Sequence, residues 1–184
     1  DLLRWEKIDL VARFCGMGER LYHLARGQDF RRVQRKAPVK SISNETTFFE
    51  DTSDTESLDG HIWRLAENVA DRAKSKDKAG RTVTLKLKRS NHKILTRQAR
   101  LGDATQIADR IYRTARALFD QLGDEGPYRL IGVGISHLSA AGDAESEGDL
   151  LDPQAQVRAD AERASDEIRS RFGSDAIIKG RSLR

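Results

Sequence analysis

The stretch RTVTLKLKRSNHKILTRQARL, residues 81–101, decides the fold. Within Arg81–Arg89, Val83, Leu85 and Leu87 alternate with Thr82, Thr84, Lys86 and Lys88, the period of a strand with one buried face and one wet face. Ser90-Asn91-His92 reads as a turn and Lys93–Leu101 as a second strand, so the stretch predicts a β-hairpin. On its N-terminal side, Ser57–Ala73 places Leu58, Ile62, Leu65 and Val69 at helical spacing, with Asp54 or Thr55 as the cap. Val39–Phe49, rich in β-branched and aromatic residues, reads as a strand before it. On the C-terminal side, Asp103 or Thr105 opens a helix carrying Ile107, Ile111, Ala115, Leu118 and Leu122, closed by Gly123. A last strand, Tyr128–Leu138, has Ile131, Val133 and Ile135 on one face and Leu130, Gly132, Gly134 and Ser136 on the other.

The order is therefore β-α-β-β-α-β, a split βαβ arrangement of the α+β class: a four-stranded antiparallel sheet with two helices on one face. The other face is left open. It is expected to carry Thr84, Lys86, Lys88, Thr96, Gln98 and Arg100 beside the small Gly132, Gly134 and Ser136. Small residues let a backbone approach closely, and bases and hydroxyls donate to phosphates. Aromatic residues are missing from that face, which disfavours stacking of splayed bases and hence a single-strand RNA-binding reading. Shape and charge should do the recognising.

The charge pattern agrees. The 184 residues hold 33 Lys and Arg against 29 Asp and Glu, a net charge of only +4. Residues 71–100 alone carry +9, and residues 140–153 hold five acids and no base. A basic cluster favours a polyanion, because each neutralised phosphate releases condensed counterions. The lone Cys15 excludes an intramolecular disulfide and a multi-cysteine zinc site and fits a reducing, cytoplasmic setting. The four histidines lie far apart, and no apolar run approaches the roughly 20 residues that span a bilayer.

Residues 1–30 read as a helical remnant, interrupted at Gly16 and Gly18 and stopped at Gly27. They are too few to bury a core alone, and with Asp1 leading them they are expected to be the end of something longer. A basic linker (31–38), the sheet domain (39–139), an acidic tether (140–153) and a C-terminal helix with tail (154–184) follow. In that helix Asp152-Pro153 is the expected cap and first turn. Val157, Ala161, Ala164, Ile168 and Phe172 make its apolar stripe, and Gly173 ends it.

Several stretches resemble a known family. GERLYHLARGQD (18–29) followed by KSISNETTF (40–48) is similar to the junction of thumb and little finger in the Y-family DNA polymerases. VTLKLK (83–88), RLIGVGIS (129–136) and the ending that runs from Arg171-Phe172-Gly173 through Ala176-Ile177-Ile178 to Gly180-Arg181 look like the DNA polymerase IV branch. The resemblance covers nearly the whole chain and implies the end of the thumb plus the little finger of a translesion polymerase, gripping template–primer duplex DNA. It implies DNA contacts at Lys40, Ser41, Ser43, Asn44, Thr84, Lys86, Lys88, Arg89, Thr96, Arg97 and Arg100, while Glu45 is harder to place and Arg97 falls on the core side under strict alternation. The parent would perform nucleotidyl transfer with Mg²⁺ held by palm carboxylates upstream. Ser165-Asp166-Glu167 only superficially resembles such a set, so this chain is expected to hold no cofactor and to be inactive alone. The family's sliding-clamp peptide has a partial counterpart in Asp149, Leu150 and Leu151. That leaves an alternative: a module that recruits the polymerase to the clamp and binds little DNA itself.

Overall fold

Gly18 lets the first two helices meet. A Cβ there would lie 2.0 Å from the Leu10 carbonyl oxygen, so no other residue permits the contact between α1 (Lys7–Phe14) and α2 (Gly16–Ala25). Gly16 and Gly18 therefore lie inside α2, and the interruption falls at Cys15, whose φ is 49°. Gly27, at φ 72°, follows the end of α2. The computed structural model describes residues 1–32, 38–123, 126–143, 154–173, 176, 177 and 180. The chain divides into two units, Asp1–Pro38 and Val39–Arg184.

The second unit runs β1 (Ser41–Thr52), α3 (Thr55–Ser75), β2 (Lys78–Arg89), β3 (Ile94–Thr105), α4 (Ala108–Asp120), β4 (Tyr128–Ala140) and α5 (Ala155–Phe172). The four strands form one antiparallel sheet in the order β1-β4-β2-β3. β1 and β2 thus run parallel with β4 between them, and β3 and β4 run parallel with β2 between them. Asp54 caps α3, its carboxylate accepting from the Glu56 and Ser57 amides. Leu58, Ile62, Leu65 and Val69 of α3 and Ile111, Ala115 and Leu118 of α4 share one core with Val83, Leu85, Leu87, Ile131, Val133 and Ile135 of the sheet. Trp63 meets Tyr112 edge to face at 5.0 Å, joining the two helices.

Two expectations are corrected. Helix α4 starts after Ile107, which supplies no side-chain cap. Thr105 accepts from the Ile107 amide and shapes the turn before the helix, but the cap comes from another helix. Glu162 of α5, only 4% exposed, accepts from the Ala108 amide at 2.8 Å and the Asp109 amide at 3.3 Å. The second correction follows from that contact. The apolar stripe of α5 faces outward, with Val157 67% and Phe172 76% exposed. The helix docks instead through Ala159, Glu162, Asp166 and Arg169: Lys74 reaches Glu162 and Asp166 at 2.6 Å each, and Arg158 reaches Asp109 at 2.8 Å. A carboxylate at a helix N-terminus satisfies orphan amides and meets the positive end of the helix dipole, which outweighs burial of the apolar stripe here. Burial alone would lower the Lys74 ammonium, but Glu162 and Asp166 hold it above its ordinary 10.5.

Candidate nucleic-acid interface

The sheet face opposite α3 and α4 is a regular lattice. Strand register places four rows across β1, β4, β2 and β3 in that order: Ser41–Ser136–Thr82–Arg100, Ser43–Gly134–Thr84–Gln98, Glu45–Gly132–Lys86–Thr96 and Thr47–Leu130–Lys88–Ile94. The alternation seen in residues 83–88 makes these rows: every second side chain of β2 goes to the core and the others go here. Hydroxyls and small residues dominate one end. At the other end Leu130 and Ile94 flank Lys88.

The middle of the lattice is a groove of about 380 Å³, floored by Gly132 and Gly134 and walled by Ser43, Glu45, Thr84 and Lys86. Both glycines are required by the neighbouring strand. A Cβ on Gly134 would lie 2.8 Å from the Cβ of Ser43, and one on Gly132 would lie 2.9 Å from that of Glu45. Ser43 and Glu45 thus lean over β4, which a side chain at either glycine would forbid.

Seven of the residues expected to touch DNA come together on this face: Ser41, Ser43, Thr84, Lys86, Lys88, Thr96 and Arg100. Four do not. Lys40 precedes β1 and is exposed. Asn44 shares the helix side of β1 with Ile42. Arg89 lies beyond the register shift that ends the regular β2–β4 pairing. Arg97 stands opposite Leu85 in unbroken register, on the helix side, and donates to the Thr96 carbonyl at 3.0 Å. Asp149, Leu150 and Leu151, with Asp152-Pro153, lie outside the described residues.

The face is less basic than its sequence. Of the eleven bases in residues 71–100, only Lys86, Lys88 and Arg100 stand on the lattice. Arg72 donates to the Ser43 carbonyl at 3.0 Å, and Lys74 is taken into the α5 dock. Against the three bases stands Glu45, whose Oε2 meets Lys86 Nζ at 2.8 Å. Both ends of that pair are open to water, 51% and 37% exposed, and such pairs contribute about 0–1 kcal/mol. Glu45 is the position on this face that residue-by-residue reading leaves unplaced. Only the adjacency of β1 to β4 brings it opposite Gly132 and within reach of Lys86.

Residues 39–150, which contain all four strands, match the model of the impB/mucB/samB family C-terminal domain. The chain is 44% identical over 180 residues to a DNA polymerase IV of Brucella melitensis, covering 98% of this chain and 40% of that relative. It is 43% identical over 180 residues to DNA polymerase IV 1 of Mesorhizobium japonicum (98% and 41%) and 38% identical over 176 residues to DNA polymerase IV of Caulobacter vibrioides (95% and 43%). The chain belongs to the Y-family DNA polymerases. It corresponds to the C-terminal portion of a DNA polymerase IV and spans about two-fifths of the length of the curated relatives it matches. In this Y-family chain the family match spans the whole lattice, while α1 and α2 lie before it.

Proposed function

We propose that the open sheet face grips template–primer duplex DNA for a translesion polymerase. Lys86, Lys88 and Arg100 donate to backbone phosphates, Ser43, Thr84 and Thr96 add neutral donors, and the Gly132–Gly134 strip admits the backbone closely. The observation that carries this reading is the lattice itself: a face left open among the described residues of its own unit, with three bases, a line of hydroxyls and a glycine floor. Nothing in it discriminates bases, so the grip is by shape and charge and tolerates damaged templates.

The polymerase activity of the parent, with its Mg²⁺ and cytoplasmic setting, is part of the same proposal. Metal-assisted nucleotidyl transfer uses a convergent carboxylate set to hold two ions against the incoming phosphates. The described residues contain no group of three or more His, Cys, Asp or Glu so placed, and Asp166 is held by Lys74. On this proposal the chain's share of the parent's work is to hold the duplex, and the chain is expected to be inactive by itself.

The test is direct binding of the 184-residue chain to two primer–template duplexes of unrelated sequence. Near-equal affinities are expected, with log K falling against log salt at a slope of at least about −2.7, three phosphates' worth. Absent or salt-insensitive binding overturns the proposal.

A further inference from the structure

The lone acid of the lattice stands where a DNA phosphate would. Glu45 on β1 and Lys86 on β2 flank Gly132 of β4 in one register row, so their ion pair crosses over the glycine floor and bars the strip that the glycines keep low. The carboxylate sits 2.8 Å from the ammonium, the distance a phosphate oxygen would take. A lysine ammonium is a compact point charge with no bidentate preference, so it can exchange one anion for another without repositioning its stem. Both partners are half exposed, and neither end is locked by burial. An exposed pair adds little to sheet stability, so the fold does not need the carboxylate at this point.

We infer that the Glu45–Lys86 bridge is a displaceable bar that sets the strength of the grip: an incoming phosphate replaces Glu45 on Lys86, and Glu45, left beside the phosphate, lowers affinity and speeds release. This rests on the reading of the face as a duplex-DNA site. A polymerase that must move along its template gains from such a built-in competitor, since a face with three unopposed bases would hold longer.

The experiment is a double-mutant cycle on the full chain: wild type, Glu45→Gln, Lys86→Met and the double variant, titrated with one primer–template duplex at low salt, with melting curves to confirm that all four fold. Glu45→Gln is expected to bind about two- to fivefold more tightly, the equivalent of one exposed ion pair, chiefly through slower dissociation. In the Lys86→Met background that gain should vanish. Unchanged affinity in Glu45→Gln overturns the inference, and so does an equal gain without Lys86, which would mark Glu45 as a distant repulsive charge. Wild-type chain that binds no duplex overturns the underlying proposal instead, and the bar falls with it.

Discussion

Lys86 and Lys74 each hold a carboxylate, at 2.8 and 2.6 Å, and the two pairs do opposite work. On the open face Lys86 and Glu45 are 37% and 51% exposed, while in the α5 dock Lys74 and Glu162 are 23% and 4% exposed. Distance is nearly the same; burial is not. Water at the first pair makes exchange with a passing anion inexpensive. At the second, Glu162 also accepts two helix amides, so removing it strands two N–H groups and leaves Lys74 to Asp166 alone. The two pairs thus contrast: a wet one, proposed to exchange with a ligand, and a structural one that anchors a helix.

That division can be broken most severely at Glu162. Glu162→Ala is expected to cost about 3 kcal/mol, since it leaves two helix amides without their acceptor at roughly 1–3 kcal/mol each, and to release α5. Hydrogen exchange at the Ala108 and Asp109 amides would report it, and unchanged protection there would contradict the structural role. Next comes Gly134→Ala, which forces a Cβ against Ser43 and should cost about 1–3 kcal/mol in a thermal melt. A neutral result would mean β1 can shift away from β4 more freely than the packing implies.

Glu45→Gln removes the wet pair instead. Its melting behaviour should stay within about 1 kcal/mol of wild type, against the large loss at Glu162. The smallest expected effect is a pH slope at His61, which packs edge to face on Phe48 at 4.9 Å. Burial, helped by the Arg64 charge, pushes its pKa below the ordinary 6.5. The folded state then binds the proton less readily than the unfolded chain. Stability is full above pH 6.5 and declines as the pH falls through the lower folded value. His61→Gln should flatten that part of the stability–pH curve, and an unaltered curve would assign the slope to another group.

Local pattern and long-range contact explain what could be read in advance. Alternation in residues 83–88 and 131–135 and the helical spacing of Leu58, Ile62, Leu65 and Val69 are set by burial of one face, so the α+β class, the element order and the inward residues were legible. The open-face membership of Lys86, Lys88, Thr96 and Arg100 followed from the same parity. The strand order β1-β4-β2-β3 did not, because no local signal says which edge β1 joins. With the order hidden, so were the Glu45–Lys86 bridge and the reason for Gly132. Helix α5 misled for a related reason: its best apolar stripe stays wet, since a carboxylate 54 residues after Ala108 caps α4. Charge summed along the chain overstated the face, because Arg72, Lys74 and Arg97 neighbour Lys86 in sequence but not on the lattice.

The open face, and not the basic segment as a whole, is proposed to meet duplex DNA. The decisive comparison is Lys86→Met with Lys88→Met against wild type, over a salt series on one primer–template duplex. The double variant should bind more weakly and its log K–log salt slope should be shallower by about 1.8, two phosphates' worth. An unchanged slope would place the DNA elsewhere on the molecule.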